Sequence, residues 1–195
     1  MNFETWRHHA RAWLFMFIGR EETAYAEYAT AYRLAPTASA ARHLGYIAAR
    51  RKLHHEGAKW FREALHLEPE DADTHFNLGF VLGEGNEPAE AVAAFAEAVR
   101  LNPNLDRAWY GMGLAHAKLG QHADAAKALE EAARLQPMNG EAWYQLGMAY
   151  HHADNGERLR EVVEQLRGFD PRRSNQLIKD AGRAELQPLL KDLSF

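Results

Sequence analysis

The stretch 142–151 reads AWYQLGMAYH, and thirty-four residues earlier 108–117 reads AWYGMGLAHA. Within the later copy, Trp143, Leu146, Gly147 and Tyr150 stand at spacings of three, one and three, which puts them on one face of a helix. Leu159, Val163 and Leu166 follow at spacings of four and three, again one helical face. Asn155-Gly156 lies between the two segments and reads as the break that turns the chain. Gly147 carries no side chain, as a close approach of two helices requires.

The interval extends beyond these two copies. Pro36, Pro69, Pro103, Pro137 and Pro171 close the triplets LAP, LEP, LNP, LQP and FDP, at intervals of 33, 34, 34 and 34. A fixed period of this length means a stacked repeat architecture. Proline cannot continue the second helix of a unit and fixes the entry to the next. Each period is therefore two antiparallel helices joined by a short turn. Such a hairpin cannot bury its apolar face alone, and stacked copies build a continuous core.

The residues Trp143, Leu146, Gly147 and Tyr150 resemble the first half of the tetratricopeptide repeat (TPR) pattern, and Ala91, Phe95, Ala98 and Pro103 resemble the second half. The resemblance implies an all-α, right-handed solenoid of about five hairpins, one domain over 1–195, with units at 5–37, 38–71, 72–105, 106–139 and 140–173. Some units depart from the pattern. The first keeps Ala24, Tyr28, Ala31 and Pro36 but has Arg11 and Ala12 in place of Leu-Gly. The second has Ala41 for the large aromatic and Gly57 for alanine; the third has His75 and Leu82 for Trp and Tyr. The tail 174–195 does not repeat. Leu177, Ala181 and Ala184 share a face, with Ser174 as N-cap, so a capping helix broken by Gln187-Pro188 is expected, and PLLKDLSF ends the chain as a short apolar segment.

Composition narrows the function. Apolar residues make up 47% of 195, enough for a core, and a net charge of −4 with both signs interspersed argues against a nucleic-acid binder. There is no cysteine, which excludes disulfides and suits the cytoplasm, although it also suits a small periplasmic protein. The most apolar run, AWLFMFIG at 12–19, is too short for a membrane span. With Glu4 in its basic flank, 4–18 is expected to be a helix of the mature protein rather than a signal peptide.

Catalytic constellations are not found. GMG at 111–113 sits within a helical pattern and lacks the third glycine of a dinucleotide loop. The paired histidines His8-His9, His54-His55 and His151-His152 point about 100° apart on a helix and do not converge on one ion. The expectation is a non-enzyme without cofactor or metal.

A second stripe of each first helix lies roughly 130° from the core face. In the TPR family this stripe lines the concave groove, so the resemblance implies a ligand face. Its fifth-place residues are His9, Arg42, Phe76, Tyr110 and Tyr144, and its ninth-place residues are Trp13, Tyr46, Phe80, Leu114 and Met148. The family commonly has tyrosine at the fifth place but keeps the ninth polar, often asparagine; here all five are large and apolar or aromatic. Three accounts compete: a groove for an apolar peptide or helix of another protein, coverage by the C-terminal segment 188–195 or a second copy, and internal packing. The family's grip on a peptide carboxylate is incomplete. Arg42, Asn77 and Arg107 are present, but Tyr46 replaces its first asparagine and Gly111 its last arginine.

The N-terminal helix has apolar residues on more than one side. Phe3, Trp6, Ala10, Trp13, Leu14 and Phe17 could form one face, which leaves Phe15, Met16 and Ile18 for a partner or a second copy. The functional expectation is a cytoplasmic scaffold or adaptor that binds a protein through its groove. A homo-oligomer is the competing reading.

Overall fold

The computed structural model describes residues 3–190. These residues form eleven α-helices and one 3₁₀ turn, in two compact units that divide between Asn102 and Pro103. In the first unit α1 (Phe3–Phe17) pairs with α2 (Glu21–Leu34), α3 (Ala38–Arg50) with α4 (His54–Leu67), and α5 (Ala72–Glu84) with α6 (Pro88–Leu101). In the second, α7 (Asp106–Lys118) pairs with α8 (His122–Leu135) and α9 (Gly140–His152) with α10 (Gly156–Phe169); α11 (Pro171–Ala181) and the 3₁₀ turn (Ala184–Leu189) complete it. Within each unit the hairpins pack consecutively.

Each hairpin reverses through a single residue in the left-handed region: Gly19, Lys52, Asn86, Gly120 and Asp154, with φ between 54° and 74°. The turn of the last hairpin therefore centres on Asp154 rather than on Asn155-Gly156. Asn155 instead caps α10, its side chain accepting from the Arg158 amide at 3.2 Å, and Gly156 opens the helix.

The recurring glycine of the first helix is explained by what lies against it. A methyl group on Gly45 or on Gly79 would come within 2.8 Å of the Phe61 or Phe95 ring. These aromatic rings of the second helix thus lie on bare backbone. The fourth position has a job of its own. Trp109 and Trp143 each donate from Nε1 to the carbonyl of the proline six residues upstream, at 2.9 Å, and His75 Nε2 meets the Pro69 carbonyl at the same distance. The departure from tryptophan at His75 keeps a ring N–H where it is needed.

The tail differs from expectation. Asp170, a single linking residue, closes α10 and caps α11, accepting from the Arg173 amide at 3.0 Å. Ser174 is not the cap: it is fully buried and donates to the Val163 carbonyl at 3.0 Å. The helix ends at Gly182, in the left-handed conformation, before Gln187-Pro188, and Pro188 lies inside the 3₁₀ turn. Leu177, Ile178, Ala181 and Leu186 join the core of the last two hairpins, while Ala184 is exposed.

Candidate functional site

In the first unit the stripe is open. Tyr46 on α3 is 51% exposed and Phe80 on α5 is 49% exposed. With Phe76, Asn77, Ala49, Arg50, Val81 and the edge of Phe61 they line a recess of about 390 Å³. Its floor follows from the glycine arrangement: Phe61 lies on Gly45, and Phe76 tilts against Phe95 with ring centroids 5.9 Å apart. On its rim, the Arg50 guanidinium carbon sits 6.0 Å from the Tyr46 ring centroid while the same side chain holds Glu21 at 2.7 Å. The lining is rings and methyl groups with one carboxamide, one guanidinium and one phenol hydroxyl. Such a lining is suited to burying apolar surface, with polar groups at hand to orient it.

The other first-unit positions are arranged differently. Arg42 holds Glu68 at 2.7 Å and Asp71 at 2.8 Å, so its charge is matched by the loop after α4. Burial pushes the Asp71 carboxyl up, but the Thr74 hydroxyl and amide, and then Arg42, bring it below its ordinary range. His9 is half-buried, its ring edge-on to Tyr28 at 5.6 Å, and Tyr28 stacks on His43 at 4.5 Å. Burial, then the neighbouring His43, pushes the His9 pKa down. Trp13 is exposed and stacks on Phe17 at 6.0 Å. Phe15 and Met16, expected at an intermolecular contact, are half-buried against the cluster of Ala12, Ala24, Tyr28, Leu44 and Ile47; of that trio Ile18 is exposed. That cluster is built from α1, α2 and α3.

In the second unit the stripe is largely covered. Tyr110, Tyr144 and Met148 pack, half-buried, against a core that includes Leu177 and Ile178 of α11. The Tyr144 hydroxyl donates to Asp180 Oδ2 at 2.7 Å, and the Arg173 guanidinium carbon lies 5.6 Å from its ring centroid. Burial and then the Asp180 hydrogen bond push the Tyr144 pKa up to about 12. Leu114 is half-buried and Arg107 exposed. The contribution of Arg173 and Asp180 had no signal in the repeat pattern, because α11 lies outside it. The segment 188–195 falls partly outside the described residues, which end before 191; within them, Leu189 packs on the second unit's own core.

A larger recess of about 540 Å³ lies among α8, α9 and α10, away from the stripe. Its polar groups satisfy one another: Arg158 holds Glu130 at 2.6 Å, Tyr150 donates to Glu130, and Arg158 also holds Glu161. Among the described residues no group of three or more His, Asp or Glu could hold a metal ion, and no helix is long and apolar enough to cross a membrane.

Comparison with known proteins agrees with this geometry. The family model described as "Tetratricopeptide repeat" matches residues 9–72 and 110–171, and a second, "TPR repeat", matches 84–120. No curated protein matches the chain in sequence. Among solved structures, YrrB, described as a TPR protein with an unusual peptide-binding site, superposes with a TM-score of 0.79 at 25% identity, covering 90% of each chain. A MamA fragment from Desulfovibrio magneticus RS-1 gives 0.77 at 20% identity, over 87% of this chain and 99% of that one. PilW, described as a widely conserved type IV pilus biogenesis factor, gives 0.70 at 22% identity, over 97% of this chain and 91% of that one. With stacked hairpins and a family model matched over 9–72 and 110–171, more than half of its length, the chain belongs to the tetratricopeptide repeat family.

Proposed function

We propose that this protein is a non-enzymatic protein-interaction scaffold of the cytoplasm, working as one repeat domain, that takes up an apolar peptide or helix in the recess of its first unit. Tyr46, Phe76 and Phe80 supply the apolar surface, and the Asn77 carboxamide holds a peptide group of the ligand. The observation that carries the reading is the half-exposure of Tyr46 and Phe80 around a preformed apolar recess, at a place where the family keeps polar side chains. The description of YrrB as peptide-binding supports the class of ligand. The second unit's stripe (Arg107, Tyr110, Leu114, Tyr144, Met148) has the lesser role, since α11 already packs against part of it.

Selection from a random displayed peptide library tests this. The wild type is expected to enrich apolar sequences and Phe80→Ala to lose them, by roughly thirtyfold in affinity for an anchor worth about 2 kcal/mol. Thermal melts of the same samples should be nearly equal. Enrichment that survives Phe80→Ala, or no enrichment by the wild type, would refute the recess as the binding surface.

A further inference from the structure

The first helix carries an aromatic stripe that its own unit leaves bare. Phe3, Trp6, Trp13 and Phe17 are 70%, 56%, 63% and 77% exposed. They stack in two pairs, Phe3 on Trp6 at 6.1 Å and Trp13 on Phe17 at 6.0 Å. With Ala10 between the pairs, the stripe runs Phe3, Trp6, Ala10, Trp13, Phe17, at spacings of three, four, three and four. That is the seam of a helix that packs along another helix. We propose that the occupant is a second copy of this chain, joined through an antiparallel pair of α1 helices that cross at Ala10.

Three observations favour a second copy. The stripe is nearly its own reverse. Seven residues before and after Ala10 stand Phe3 and Phe17, and four before and after stand Trp6 and Leu14, all exposed. A two-fold axis at Ala10 sets each of these against its counterpart, as an isologous interface requires. The methyl group of Ala10 at the crossing lets the two backbones approach to the short end of the usual helix spacing.

The second observation is area. At roughly 150–250 Å² for each aromatic side chain, the exposed fractions leave about 400–670 Å² on the four rings, and Leu14 and Ile18 add to it. The sum approaches the ~800 Å² that each partner contributes to a stable standard interface.

The third is where the stripe does not lie. In α3, Leu44 and Ile47 are the residues that meet the hairpin before them. Their counterparts in α1 are Arg11 and Leu14, and Arg11 holds Glu27 at 2.9 Å while Arg7 holds Glu4 at 2.8 Å. On the face where another repeat would stack, one counterpart is thus a paired arginine, and the other, Leu14, belongs to the two-fold contact with Trp6. The aromatic stripe points elsewhere, and these ion pairs also leave α1 little free positive charge for an anionic membrane surface.

The proposal does not rest on the recess reading, and variants separate the two. Light scattering on the full chain, over a wide concentration range, should give twice the monomer mass at the upper end. Trp6→Ser with Phe17→Ser should give the monomer mass throughout, with an unchanged helical spectrum, whereas Phe80→Ala should still dimerise. Since the chain has no cysteine, Ala10→Cys provides a second reading. Cysteines at the crossing lie within disulfide reach and should link two chains on mild oxidation. A wild type that stays monomeric overturns the proposal, including one that instead sediments with phosphatidylglycerol vesicles. So does a dimer that survives the double substitution, or an Ala10→Cys protein that forms no linked dimer.

Discussion

Phe80 and Met148 hold the same place in their hairpins, the ninth position of the first helix, and have opposite surroundings. Phe80 is half-exposed at the edge of an apolar recess. Met148 is half-buried against a core completed by Leu177 and Ile178. The difference is made by α11, which the second unit has and the first lacks. The lesson is that an apolar residue on this stripe is neither a binding residue nor a packing residue by its position alone. Its role is decided by whether another element of the same unit reaches it.

The comparison can be broken most severely by ending the chain at Asp170. Leu177, Ile178 and Leu186 are at most 1% exposed, and burial of each such side chain contributes about 1.5–3 kcal/mol, so urea denaturation should show the second unit weakened by roughly 5 kcal/mol or more. Hydrogen exchange should place the loss on α9 and α10 and leave α1 to α4 as protected as before.

A smaller perturbation acts at the same joint. A side chain on Gly147 would run into Leu177. Gly147→Leu should therefore cost about 1–3 kcal/mol by overpacking, read as a lower melting temperature. An unchanged melt would mean that α11 does not close on α9.

The repeat pattern made much of this legible and stopped at identifiable points. The helical pairs and the proline joints could be read because each rests on a local rule repeated five times. Arg42 could not be read as paired, because its partners Glu68 and Asp71 belong to a loop that the fold, not the spacing, brings to it. Phe15 and Met16 could not be read as half-buried, because the cluster they pack on is assembled from α1, α2 and α3 by the fold rather than by spacing within α1. Ser174 has a capping side chain, but the helix begins ahead of it. Pro171 is its first residue, where a missing N–H costs nothing.

The covered stripe also has a pH signature. A tyrosine whose folded pKa is raised contributes stability that is complete below its ordinary value near 10.0 and is lost as pH climbs through the folded value. Tyr144, pushed up to about 12, should therefore weaken the second unit between these limits. Tyr25, also raised to about 12 by burial and then by its bond to Glu56, should do the same in the first. Tyrosinate absorbance should show both titrating late, and Tyr144→Phe should reduce the second unit's alkaline loss, of which Tyr110 and Tyr150, also raised by burial, keep a share, while costing about 0.5–1.5 kcal/mol at neutral pH.

The smallest effect is the sharpest comparison. Phe80→Ala should change stability by less than about 1 kcal/mol, since half of the ring is already in water, whereas Met148→Ala should cost about twice as much. Equal losses in paired denaturation curves would erase the distinction between an open and a covered stripe.

The five reversals through one left-handed residue have a consequence for how such a protein can be altered. Gly19, Lys52, Asn86, Gly120 and Asp154 occupy one register, so the backbone leaves each first helix and enters each second helix along the same path. The turns are exchangeable parts. A graft joined there would move a whole second helix from one hairpin to another without changing chain length. Lys52 is the least suited of the five to its conformation, a local strain of order 1 kcal/mol that a graft of the Asn86 or Gly120 turn would relieve. A chain assembled in this way can exchange the helix behind a binding face while the face itself stays where it was.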